Sequence, residues 1–260
     1  MKQKIRDLLK NIEKEYGITI LFAIENGSRA WGMDSKDSDY DVRFVFYRPL
    51  KDYISLNKPE DVITLAYDEN FNPHEVQGSL VDMCGFDIFK YLKLLSSSNP
   101  TAIEWLNSPI VYLGNNNIVL KDYMNINFSQ EKLFYHYFSL FKKSYHFDIE
   151  NDKLRSYKKY LYAMRGLLNA QYVYEFDKVP PLKMRDTIAE FSKILPKDVM
   201  SKLNEIIDIK LQGLEKDTVL NIPIFDEFFK KELEKTYSSF NKREIDKQLF
   251  DRYLQACLGI

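Results

Sequence analysis

Cysteine is nearly absent from this chain. Its 260 residues hold two, Cys84 and Cys257, with none of the paired spacing of a zinc site, and free thiols in a reducing compartment are the reading that follows. An excess of charge of one sign is missing as well: 37 Lys and Arg stand against 38 Asp and Glu, a net charge of -1. That excludes a protein living by non-specific basic attraction to duplex nucleic acid, so any such contact must come from a local patch. No apolar run is long enough to span a bilayer. The N-terminal MKQKIRDLLKNIEKEYG carries charges throughout and lacks the apolar core and small-residue cleavage site of a secretory signal. A cytoplasmic protein with no membrane contact is the expectation. Histidine is scarce too, and His136 and His146 are not spaced as a metal pair on one helical face.

What is present is enough apolar material for a core. At 45% hydrophobic and 15% aromatic residues, disorder is excluded, and the length suits one or two domains. Ile5, Leu8, Leu9, Ile12 and Tyr16 recur at the spacing of an amphipathic helix over residues 2–16, closed by Gly17. ITILFAIENG reads as a buried strand running into a turn, and DYDVRFVFYR as an alternating strand stopped by Pro49. EVQGSLVDMC reads as a third strand, broken at Gly85. FDIFKYLKLLSSS returns to helical periodicity, and NPTAIEWLNSP is a short capped helix between prolines. Long helices are predicted over residues 129–146, 152–175, 182–194, 197–215 and 242–258, with a shorter one in NIPIFDEFFKKELEKTY. No repeat or low-complexity tract interrupts them. The organisation is α+β: a small mixed-sheet N-terminal domain, residues 1–112, and an all-helical domain, residues 113–260.

In the N-terminal part, ENGSRAWGMDSKDSDYDVRF joins a Gly-Ser corner to two alternate aspartates. Successive strand side chains point to opposite faces, so Asp39, Asp41 and Arg43 share one face while Tyr40 and Val42 take the other. Two carboxylates ~7 Å apart along a strand repel unless positive charge lies between them. Divalent cations meet that need: Mg²⁺ takes few protein ligands and fills its other positions with water or substrate phosphate. Two-metal phosphoryl-transfer sites hold their ions ~3.5–4 Å apart, a gap that such carboxylates bracket. Arg43 is either a counter-charge for the aspartates or a substrate contact. Gly27 lets backbone approach a ligand closely, with N–H groups that cradle phosphate. Ser28 would add a hydrogen bond to a terminal phosphate, and Arg29 is the nearest fixed charge for the same job. Either fragment alone also describes a solvated turn. Together, with a strand on each side and a third carboxylate downstream, they point to phosphate chemistry.

NGSRAWG…DSDYDVRF resembles the signature of the DNA polymerase β-type nucleotidyltransferase superfamily, and more specifically its RNA-ligase-associated (RlaP) branch. That branch also shares GFDIFKYLKLLSSSNPTAIEWLNSPIVY (85–112) and KKYLYAMRGLL (158–168). The likeness covers residues 18–182, in order; Phe86 stands where the family has Trp, and Gly166 where it has Pro. The resemblance implies a polymerase β palm-like catalytic domain working on a nucleoside triphosphate with two Mg²⁺ ions. In that reading Asp39 and Asp41 bind an ion bridging to the triphosphate, and a third carboxylate on a later strand completes the ion nearer the acceptor. An acceptor hydroxyl then attacks the α-phosphate and expels pyrophosphate. Asp82, in SLVDMC, is the best match for the third carboxylate because apolar residues flank it on a strand. Asp87 is its rival, with helix N-capping as its plainer explanation, and Glu75 stands third.

Arg155, Lys158, Tyr162, Arg165 and Asn169 recur at steps of three and four, forming one polar stripe beside an apolar stripe of Leu154, Leu161, Met164 and Leu168. A solvated face explains such a stripe by default. The resemblance favours a phosphate clamp, in which Lys158 and Arg165 neutralise triphosphate oxygens and Tyr162 hydrogen-bonds or stacks on the base. The expected activity is NMP transfer to an RNA end, in association with an RNA ligase. A protein hydroxyl, a small-molecule acceptor, and a non-catalytic nucleotide- or RNA-binding partner remain the alternatives.

Overall fold

The computed structural model describes residues 1–114, 118–150, 155–214, 217–219 and 221–260. By their contacts these fall into two compact units: Met1–Ala30 with Asp39–Phe128 and Glu244–Ile260, and Trp31–Ser38 with Ser129–Arg243.

The first unit opens with α1 (Lys2–Tyr16), which buries Ile5, Leu9 and Ile12. Gly17, at φ 61°, turns the chain out of the helix and returns its N–H to the carbonyl of Glu13. There follow β1 (Thr19–Glu25), the single turn α2 (Gly27–Ala30), β2 (Tyr40–Tyr47), α3 (Leu50–Tyr53), β3 (Val62–Tyr67), β4 (Val81–Asp87), α4 (Ile88–Ser96), α5 (Pro100–Asn107), β5 (Val111–Gly114) and α6 (Ile118–Ile126). Five strands form one sheet in the order β3-β4-β2-β1-β5. Every neighbouring pair is antiparallel except β2 and β4, which run parallel. Ile20, Ala23, Val42, Phe44, Phe46, Val81 and Met83 meet the α1 residues in one apolar core.

The sheet departs from the sequence reading, and the third predicted strand begins only at Val81. β3 and β5, which the alternation does not mark, complete the sheet at its edges. Gly85 lies inside β4 and does not end it. The Phe44 ring fills the space where its side chain would be, with an added Cβ 2.1 Å from Phe44 Cε2. A glycine here makes room for a large neighbour on the adjacent strand.

In the second unit Ser129 caps α7 (Gln130–Lys143), which continues as a π-helical stretch, Ser144–Glu150. The short strand β6 (Arg155–Ser156) leads into α8 (Tyr157–Phe176), with the Ser156 hydroxyl on the Lys159 N–H. Then come α9 (Met184–Glu190), α10 (Lys197–Leu211), β7 (Thr218–Val219) paired with β6, and α11 (Pro223–Glu234). α7 and α8 cross closely at Gly166, where a Cβ would lie 2.9 Å from the backbone nitrogen of Phe141. Of the predicted polar stripe, Arg165 and Asn169 are buried on α8, Arg155 and Lys158 are half-buried and Tyr162 is exposed, so only part of it is a solvated face. Leu154, placed in its apolar stripe, lies outside the described residues. The last helix, α12 (Lys247–Leu258), belongs to the first unit. Both cysteines are free, and among the described residues no helix is long and apolar enough to cross a membrane.

Candidate active site

The corner between β1 and β2 is built on hydrogen bonds to a single residue. Asn26 N–H donates to the Asp41 carbonyl (2.8 Å), and Asp41 N–H donates to Glu25 Oε1 (2.8 Å). Gly27 then turns at φ +61° with its bare Cα against the Asp41 carboxylate, where an added Cβ would fall 1.8 Å from Oδ2. Only glycine meets both demands, the left-handed backbone and the close approach. Glu25, fully buried beneath, accepts from the Tyr112 hydroxyl, while Ser108 Oγ donates to its carbonyl at 2.6 Å. Burial pushes the Glu25 carboxyl up to about 7, partly offset by the hydrogen bonds from Tyr112 and the Asp41 backbone. The Tyr112 hydroxyl is raised as well, first by burial and then by Glu25 itself.

The parallel register of β2 and β4 sets Asp41 opposite Asp82. Paired positions present their side chains on one face of the sheet, and both carboxylates reach the same guanidinium. Arg43 Nη2 donates to Asp41 Oδ1 at 3.0 Å and to Asp82 Oδ2 at 2.8 Å. All three side chains are partly buried. Asp87 points to the opposite face. It caps α4 by accepting from the Phe89 N–H (2.9 Å) and also accepts from the Tyr53 hydroxyl (2.8 Å). Burial raises its carboxyl above the ordinary range.

Asp39 is exposed and immediately precedes β2, outside the strand in which the alternation placed it. Its carbonyl accepts from Arg29 Nε (3.1 Å), and the Arg29 guanidinium lies 3.8 Å over the Tyr40 ring. Ser28 is buried in α2. Among the described residues, no group of three or more His, Cys, Asp or Glu side chains stands close enough to hold a metal ion. Positive charge at Asp41 and Asp82 is supplied by Arg43.

A family model described as the RNA repair pathway DNA polymerase beta family, RlaP, matches residues 1–257. The chain belongs to the RlaP family. A relative, the uncharacterized protein YcgL of Bacillus subtilis (strain 168), is 30% identical over 250 residues, covering 95% of this chain and 91% of that protein. The crystal structure of a nucleotidyltransferase-like protein from Exiguobacterium sibiricum 255-15 covers 98% of this chain and 88% of its own. It does so at 13% identity and a TM-score of 0.30, too distant a superposition to bear on the site.

Family membership makes this a nucleotidyltransferase-like chain with an α+β fold and a five-stranded mixed sheet. Of the RlaP residues singled out by sequence, Gly27, Ser28, Arg29, Asp39, Asp41 and Asp82 belong to the first unit. Lys158, Tyr162 and Arg165 lie on α8 in the second. There the Lys158 ammonium sits 5.5 Å over the Tyr162 ring, Tyr162 meets Trp31 edge-on at 5.8 Å, and Arg165 lies 4.0 Å over Trp31. Trp31 is a residue the sequence reading passed over. The signal was in the quoted motif, an aromatic three residues after Ser28. Glu25 was passed over as well, because a carboxylate near a strand end looks exposed until register brings Tyr112 beside it.

Proposed function

We propose that this RlaP-family protein is a nucleotidyltransferase moving NMP from a nucleoside triphosphate to a hydroxyl acceptor, an RNA end. The observation that carries the reading is the convergence of Asp41 and Asp82 on one positive charge, with Gly27 held against Asp41. The RNA acceptor rests on the family's description as an RNA repair pathway family. A neighbouring RNA ligase and a cytoplasmic setting belong to the same proposal.

Gly27 and Ser28 would approach the triphosphate through backbone and hydroxyl, with Arg29 tied at the Asp39 carbonyl as the adjacent cation. Asp39 and Asp41 would hold a divalent cation; Mg²⁺ suits one or two carboxylates joined by substrate phosphates. When bound, that ion neutralises triphosphate charge. Asp82 stands on the acceptor side. Lys158, Tyr162 and Arg165 are carried as further nucleotide contacts on the strength of the family motif. Transfer forms a bond from the acceptor oxygen to the α-phosphorus and breaks the bond to pyrophosphate, and positioning with charge stabilisation accounts for most of the rate.

The test offers α-labelled triphosphates and Mg²⁺ with pooled small RNAs and, separately, with lysate protein. Label on RNA that disappears in Asp39→Asn and Asp41→Asn, both still folded by circular dichroism, is the expected result. Label on protein alone would move the acceptor to a protein hydroxyl, and no label in either fraction would leave a small-molecule acceptor or a non-catalytic nucleotide- or RNA-binding partner.

A further inference from the structure

Arg43 does more than sit near the two aspartates. Its Nη2 is shared between Asp41 Oδ1 (3.0 Å) and Asp82 Oδ2 (2.8 Å), while Nη1 donates to the carbonyls of Val42 and Asp82, each at 3.0 Å. Four acceptors on two strands therefore hold one guanidinium between the paired carboxylates. The parallel register generates this placement. Asp41 and Asp82 are opposite one another, and Arg43, two residues along β2 from Asp41, rises from the same face and folds back over both. Arginine keeps its charge at any working pH, and its planar donors match carboxylate oxygens.

A divalent ion shared by these two carboxylates, at ~2.0–2.1 Å for Mg²⁺, would stand beside a guanidinium that already holds one oxygen of each. Like charges that close repel, and the guanidinium already balances the pair. Resting on the transferase reading above, we infer that Arg43 is a tethered cation standing in for the shared ion. The site then takes a single divalent cation, the one that arrives with the nucleotide on Asp39 and Asp41. Asp82 serves as the anchor that keeps the guanidinium in place. This differs from the two-ion site that the family resemblance implies, and it makes Arg43 part of the charge balance whether or not nucleotide is bound.

The experiment counts Mn²⁺ bound per nucleotide, by electron paramagnetic resonance titration and calorimetry, using an α,β-methylene triphosphate that cannot be cleaved. Wild type and Arg43→Lys, which both keep a positive charge between the carboxylates, are expected to hold one ion. Arg43→Gln is expected to hold two. Two ions in wild type or in Arg43→Lys, or only one in a folded Arg43→Gln that binds nucleotide, overturns the inference and leaves the transferase reading standing. No nucleotide-dependent Mn²⁺ in any protein overturns both. Should Arg43→Gln fail to fold, the wild-type count decides: one ion supports the inference and two sink it.

Discussion

Gly27 and Gly17 share a backbone conformation, φ +61° in each, and differ in what surrounds them. At Gly17 nothing lies within 4 Å of an added Cβ; at Gly27 the Asp41 carboxylate already occupies the place. Gly17→Ala therefore measures left-handed strain alone, about 1–2 kcal/mol, and should leave nucleotide transfer per folded molecule unchanged. Gly27→Ala carries the same strain and must also displace Asp41. An error of an ångström in a positioning group costs on the order of 100-fold in rate, so transfer should fall by about that factor or more. Urea unfolding alongside the label assay separates the two effects. Equal activity losses in the two variants would mean that the close approach at Gly27 has no bearing on the reaction.

β4 places two aspartates five residues apart on opposite faces of the sheet, and their neighbours assign them different work. Asp87 is the first residue of a helix entrance: its side chain satisfies the Phe89 N–H and takes the Tyr53 hydroxyl. Asp87→Ala should cost about 1–2 kcal/mol through the lost cap, with transfer intact once the protein is folded. Asp82→Ala should abolish transfer with a smaller change in unfolding midpoint; the reverse pattern would exchange their roles. Gly85, between them, gives a packing test. Adding a methyl group against Phe44 should destabilise by about 1–3 kcal/mol, and Phe44→Leu should restore part of that loss in the double variant.

Helix N-capping was the local signal that set Asp87 apart from Asp82; that both lie on β4, on opposite faces, appears only once the strand runs through Gly85. Alternation could not reveal that Asp82 faces Asp41, because register between strands about forty residues apart follows from sheet order. β5, four residues long, owes its identity to pairing with β1, and Gly85 looked like a strand break only while Phe44 was out of view. Arg43 was placed on the right face by alternation, yet two of its four acceptors lie on β4, beyond any local pattern. α1 was legible nearly to the residue, since its apolar spacing and Gly17 cap are local signals.

The boundary read at residue 112 follows the change from strands to helices, whereas contacts divide the chain differently. The unit that holds the carboxylates also includes residues 113–128 and takes back residues 244–260 from the far end of the chain. There α12 packs on α4, Phe250 is buried edge-on to Tyr123 at 5.9 Å, and the Asp246 N–H donates to the Tyr123 hydroxyl at 2.6 Å. A helix-type signal read along the chain assigns α12 to the helical domain, because nothing local distinguishes a helix that returns to the sheet unit from one that stays with its sequence neighbours. The return makes that unit depend on the C-terminus. Ending the chain at residue 243 should lower stability by at least the ~3–5 kcal/mol expected for removing a large buried aromatic, and Phe250→Ala alone should reproduce most of the loss. Loss of activity in Phe250→Ala should track its unfolded fraction, with the specific activity of the folded protein unchanged. If the chain ending at residue 243 unfolds at the wild-type urea midpoint, the C-terminal helix is an appendage and the boundary near residue 112 describes the folding units better.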